Sequence, residues 1–130
     1  MPQDRRLILY HSPRSRSRGA RMLLEELGAD YELHAFDLTT GQHKTPEFLA
    51  INPLGKVPTL RHGDAVITEQ VAVYLYAAEL YPEAGLSPAV GDPLRGAYLR
   101  WMAFYGACFE PAIVDRSMKR EPAAYSMSPY

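Results

Sequence analysis

One cysteine, Cys108, stands in the whole chain. A lone cysteine excludes an internal disulfide and any CxxC redox or zinc motif, which points to a reducing compartment. No apolar run approaches the roughly 20 residues that a membrane-spanning helix needs. Residues 1–6 lead only into a short apolar run, too brief for the core of a signal peptide. Charge of one sign is also lacking: 14 Lys and Arg against 15 Asp and Glu leave a formal net charge of −1. Bulk attraction to nucleic acid is therefore not indicated. We expect a cytoplasmic protein that works without nucleic acid, membrane or metal.

What is present is ordinary globular material, with 47% hydrophobic and 22% charged residues. A length of 130 residues allows one respectable core and little more. Leu7-Ile8-Leu9-Tyr10, closed by Ser12-Pro13, reads as a buried strand. Ala20, Leu23, Leu24 and Leu27 recur at helical spacing after it, and Gly28 is placed to stop that helix. Alternation from Tyr31 to Phe36 gives a second strand, completing a βαβ unit with a right-handed crossover. Thr45-Pro46 caps a short helix, and Val57–Arg61 and Ala65–Thr68 form a hairpin around His62-Gly63-Asp64. A long helix follows from Glu69 to about Tyr81.

The order βαβ, α, ββα over residues 1–82 is that of an α/β thioredoxin-like domain with a four-stranded mixed sheet. Gly85, Pro88 and Gly91 mark residues 83–91 as a linker. Over 92–130, Asp92-Pro93 opens an apolar helix carrying Tyr98, Trp101, Met102, Tyr105, Phe109 and Ile113, which Pro111 should kink or restart. From Glu121 onward no periodicity remains, and a loop is expected. We expect this long apolar helix either to pack on the first domain and a second subunit, or to belong to a domain that the sequence does not complete.

The Val57-Pro58 step carries the clearest chemistry. Proline has no N–H for a ladder, so it belongs at a strand's mouth or edge, and Val57 before it keeps unpaired backbone groups. A cis bond there would turn those groups toward a ligand, which an extended peptide could pair with. Thr68 reads as the cap of the helix opening at Glu69, leaving free amides near Gln70 and Val71 as an anion site. The Glu69 carboxylate beside them suits a cation. A ligand bearing an ammonium and a carboxylate on one carbon matches that pair.

Read together, Leu9-Tyr10-His11-Ser12-Pro13, Leu24-Glu25-Glu26-Leu27-Gly28, Pro46-Glu47-Phe48-Leu49, Asn52 to Leu60 and the Glu69 turn resemble the glutathione transferase family in order and approximate spacing. Tyr98-Leu99-Arg100-Trp101 and Glu110-Pro111-Ala112 resemble the first helix of the second domain in bacterial members. That domain normally continues through further helices, so the helical part is expected to be truncated.

The resemblance implies a glutathione site. Val57, before a cis Pro58, would pair with the cysteinyl backbone, and Glu69 and Gln70 would hold the γ-glutamyl end. The family commonly has serine where Gln70 stands, which shifts that contact toward the backbone amide. His43 and Lys44, with Lys56 as another candidate, would grip the glycyl carboxylate. A serine hydroxyl would donate to the thiolate and lower the thiol pKa, aided by the first helix's N-terminus and by Arg14, Arg16, Arg18 and Arg21. Ser15 matches the phi-class serine and ranks first, Ser12 precedes proline as in tau-class members and ranks next, and Ser17 ranks last. Arg16 stands where beta-class members carry cysteine. Tyr10 reads as core or pocket wall, and Cys108 as packing.

The implied function is conjugation of glutathione to a small electrophile, a detoxification chemistry, in a homodimer. The alternatives are a binding or interaction module without catalysis, and a glutathione-dependent reductase or isomerase.

Overall fold

In the computed structural model, which describes residues 5–120, strand β1 (Leu7–His11) sends alternate side chains to opposite faces of a sheet. Leu7 and Leu9 enter one apolar cluster, while Ile8 and Tyr10 enter another. Burial on both faces is why the strand is apolar without a break. It pairs in parallel with β2 (Tyr31–Ala35) and antiparallel with β3 (Thr59–His62), which pairs antiparallel with β4 (Ala65–Ile67). The order β2-β1-β3-β4 makes a four-stranded mixed sheet.

Helices α1 (Ser17–Glu26) and α3 (Gln70–Leu80) supply Ala20, Leu24, Val73 and Ala77 to the cluster around Leu7, Leu9 and Leu60. The short helix α2 (Pro46–Ile51) supplies Phe48 to the opposite cluster, its ring centroid 4.6 Å from that of Phe36 and 5.1 Å from that of Tyr10. Two helices thus cover one face and one covers the other, the thioredoxin-like arrangement. Local signals set the boundaries. Gly28 adopts φ 64° and donates to the Glu25 carbonyl after α1, and Thr45 accepts from the Phe48 amide at the start of α2.

Three boundaries differ from the sequence expectation. Strand β3 begins at Thr59 rather than Val57, because Pro58 offers no N–H and the ladder starts beyond it. His62 pairs with Ala65, so the hairpin turn is Gly63-Asp64 alone. Helix α3 opens at Gln70, one residue late: Glu69 occupies the cap position at φ 71°, with no side-chain cap bond, so Thr68 is not the cap.

The chain divides into two compact units, Met1–Ser87 and Pro88–Tyr130. In the second, the single expected helix is three pieces: α4 (Arg95–Phe104), a π turn (Tyr105–Phe109) and α5 (Glu110–Ser117). Pro111 in the first turn of α5 cannot make the usual bond back to the Ala107 carbonyl, which accounts for the break. Asp92 accepts from the Leu94 amide at 2.8 Å, just ahead of α4. Trp101 and Ile113 are each more than half exposed. The loop expected from Glu121 lies outside the described residues. Among the described residues, no helix is long and apolar enough to cross a membrane.

Candidate functional site

Sheet register gathers the segments singled out in the sequence at one edge. Tyr10 pairs with Thr59, so the end of β1, which leads into the serine turn, lies beside the start of β3, which follows Val57-Pro58. Leu60 pairs with Ile67, which brings the end of β4, and hence Thr68 and Glu69, to the same edge. The Phe36 amide donates to the His11 carbonyl at 2.7 Å, extending the β1–β2 pairing toward that edge.

The three serines of the turn differ in their surroundings. Ser17 is fully buried, and its Oγ lies 2.8 Å from His11 Nδ1, accepts from the Ser12 amide at 2.9 Å and reaches the Ser12 carbonyl at 3.2 Å. Ser15 is half-buried: its Oγ is 2.7 Å from the Ser12 carbonyl and 2.6 Å from Ser17 Oγ, and it accepts from the Ser17 amide at 3.2 Å. Ser12 is buried, and its hydroxyl makes one long contact, 3.5 Å to the Pro13 carbonyl. Burial, and after it the Arg21 guanidinium, lower the His11 pKa from its ordinary value, against a smaller raising effect of the Ser17 backbone. A neutral imidazole keeps one nitrogen as acceptor, so His11 can serve Ser17 from either tautomer.

The Val57-Pro58 peptide is cis. Among the described residues, the Val57 N–H and C=O make no hydrogen bond. The loop before it is held from within by Asn52, which is 2% exposed. Asn52 Nδ2 donates to the Lys56 carbonyl at 3.1 Å and to Thr59 Oγ1 at 3.0 Å, while its Oδ1 accepts from the Leu54 amide at 3.1 Å. Lys44 Nζ donates to the Leu54 carbonyl at 2.9 Å, so this lysine is engaged with the same loop. His43 is partly exposed, with Nδ1 buried and without a partner among the described residues. Lys56 is exposed. Glu69 is exposed, whereas the Gln70 side chain turns inward, donating to the Arg16 carbonyl at 3.2 Å and to Tyr74 Oη at 2.7 Å.

Arg14, Arg18 and Arg21, with His11, Met22 and Glu25, line a hollow of about 420 Å³ along α1. A larger hollow, about 750 Å³, lies around Arg5, His62 and Tyr81 at the other end of β1, away from the edge where the segments above converge. Its place argues against taking size as the guide to the site.

The sequence reading overlooked His11, Asn52, Thr59 and Tyr74. For Asn52 a signal was there, since Asn-Pro favours a turn closed by the asparagine side chain. The other three depend on partners brought together by the fold.

The family model described as "Glutathione S-transferase, N-terminal domain" matches residues 5–79. "Glutathione S-transferase 1" of Dianthus caryophyllus is 50% identical over 68 residues, covering 52% of this chain and 31% of that protein. The structure of a sphingomonad glutathione S-transferase complexed with glutathione aligns with TM-score 0.75 and 34% identity, over 93% of this chain and 60% of that one. A glutathione transferase homolog from Sulfitobacter, with bound glutathione, gives TM-score 0.74 and 32% identity, over 92% of this chain and 58% of that one. The chain spans less than two thirds of the length of each of these proteins.

Proposed function

The chain belongs to the glutathione S-transferase family, and from that premise we propose that its first unit binds glutathione and activates the thiol for attack on a small electrophile. The observation that carries this reading is the Val57 backbone, without hydrogen bonds among the described residues, at the sheet edge that also holds the serine turn and the start of α3. An extended peptide meets such a residue through its main chain. Val57 pairs with the cysteinyl unit, which sets the thiol over the serine turn. Glu69 accepts the γ-glutamyl ammonium, and the uncapped start of α3, at Gln70, takes the neighbouring carboxylate. His43, Lys44 and Lys56 are the cationic candidates for the glycyl carboxylate, Lys44 exchanging the Leu54 carbonyl for it.

Ser15 is the donor to the thiolate in this reading. Its hydroxyl must first leave the Ser12 carbonyl, and Ser17 Oγ, 3.2 Å from that carbonyl, is placed to take over the bond. The Ser17 amide, donating to Ser15 Oγ at 3.2 Å, polarises the hydroxyl and strengthens it as a donor. Hydrogen bonding to the anion lowers the thiol pKa, and each unit is worth about 1.4 kcal/mol in favour of the nucleophilic form. The thiol proton passes to solvent, and the thiolate forms the new C–S bond as a leaving group departs with its bonding pair or, in an addition, as the displaced π pair of the electrophile takes a proton from solvent. Ser12 is the second candidate. Conjugation in the cytoplasm by a homodimer completes the proposal.

One observation favours a binding-only role: the Ser15 hydroxyl is already engaged, by the Ser12 carbonyl at 2.7 Å and Ser17 Oγ at 2.6 Å. Calorimetric titration with glutathione and turnover of an aromatic halide separate the two readings. Glu69→Ala should weaken glutathione binding by about tenfold or more, as loss of a charge-assisted bond requires; unchanged affinity would overturn the site. Ser15→Ala should bind glutathione and lose turnover, whereas binding without turnover in the wild type supports the non-catalytic module.

A further inference from the structure

Gln70 stands where main chain and side chain face different tasks. Its backbone opens α3, at the end of the site assigned above to the γ-glutamyl group. Its side chain crosses to the other end: Nε2 has two hydrogens, and its two acceptors are the Arg16 carbonyl at 3.2 Å and Tyr74 Oη at 2.7 Å. Arg16 is 54 positions away in sequence and sits between Ser15 and Ser17, so a bond to its carbonyl bears on the peptide that carries both hydroxyls. Tyr74, one helical turn beyond Gln70, holds the amide from behind. Its hydroxyl reaches this position because residue 19 is glycine: a Cβ at Gly19 would overlap the Tyr74 hydroxyl and lie 3.1 Å from its ring carbon Cζ. The close approach of α1 and α3 at that point is therefore part of the same device.

We propose that Gln70, backed by Tyr74 over Gly19, is a positioning residue that couples the γ-glutamyl end of the site to the serine turn at its thiol end. The proposal rests on the glutathione reading. Ligand held by the start of α3 then steadies the turn that must present a hydroxyl to the sulfur. A short side chain at position 70 keeps the backbone contact and cannot span to Arg16. Glutamate keeps the length and sets an acceptor against the Arg16 carbonyl. The two substitutions thus remove the bond by different routes.

The test uses the full chain with Gln70→Ser, Gln70→Glu and Tyr74→Phe. Hydrogen exchange of the amides from Ser12 to Arg18 is measured without ligand, and the thiol pKa of bound glutathione is measured from thiolate absorbance against pH. Both Gln70 variants should speed exchange in the turn by about threefold or more while β3 keeps its rates, the mark of a local opening. They should raise the bound thiol pKa by about half a unit, a roughly threefold fall in the thiolate-to-thiol ratio at a given pH. Tyr74→Phe, which deletes one oxygen, should move both readouts part of the way, and carries the test if the Gln70 variants fail to fold. Faster exchange with an unchanged thiol pKa would reduce Gln70 to a structural brace and overturn the positioning role. Unchanged exchange would overturn the coupling itself. Should wild-type protein not bind glutathione, faster turn exchange in the variants would uphold the coupling and sink only the ligand assignment.

Discussion

Ser17 Oγ lies 2.8 Å from His11 Nδ1, with both residues buried at the point where β1 gives way to the serine turn. The pair explains why three neighbouring serines are not equivalent. Ser17 is held by His11 and by the Ser12 amide and carbonyl, so its hydroxyl belongs to the fold. Ser15 leans on that framework from the half-exposed side.

Ser17→Ala should therefore act on stability. It strands the buried Ser12 amide and the His11 nitrogen, and an unsatisfied buried polar group costs about 1–3 kcal/mol. Urea unfolding should show a loss of about 2 kcal/mol, against under about 1 kcal/mol for Ser15→Ala, where water can replace the lost partner. Equal effects would mean that the burial difference between the two hydroxyls has no energetic weight.

His11 sets a pH dependence. Its folded pKa lies below the ordinary value, with burial as the leading cause, so the unfolded chain takes up the proton first as pH falls. The contribution of His11 to stability is fully present above about pH 6.5 and is lost as pH drops from there through the lowered folded pKa. His11→Asn keeps a polar group near Ser17 and cannot titrate. Melting curves between about pH 5 and pH 7 should flatten in that variant relative to wild type.

Gly55 binds two loops together through the absence of a side chain. It sits at φ 57°, and a Cβ there would meet the His43 carbonyl at 2.8 Å and Lys44 Nζ at 2.9 Å. Gly55→Ala should cost about 1–2 kcal/mol from the backbone conformation and the clash together. Because the displaced groups belong to His43 and Lys44, two of the residues assigned to the glycyl carboxylate, glutathione affinity should fall with it. Calorimetry on the folded variant would show this, and an affinity equal to wild type would remove His43 and Lys44 from the site.

Asn52 holds the segment that presents Val57. Asn52→Ala removes donors from the Lys56 carbonyl and Thr59 Oγ1 inside the protein. A loss of about 1 kcal/mol in denaturant unfolding is expected, since Thr59 Oγ1 and the Lys56 carbonyl keep their mutual bond at 2.8 Å. Exchange of the amides from Leu54 to Val57 should rise more than that of α1, where no contact is altered.

Local chemistry made much of this protein legible from its sequence. The unbroken apolar run Leu7–Tyr10, the Thr45-Pro46 cap, the Gly28 stop and the missing ladder donor at Pro58 act over a few residues, and the structure follows them closely. The same locality misplaced the start of α3, because the positive φ of Glu69 is set by the chain's turn from strand to helix rather than by a capping side chain. Tertiary structure alone decided which serines are buried, that Lys44 rests on the Leu54 carbonyl, and that Gln70 reaches Arg16 across 54 positions. Those outcomes depend on where a hydroxyl, ammonium or amide finds its partner after the sheet has formed. Segment pattern determines the elements, and only their packing brings such partners within hydrogen-bond reach.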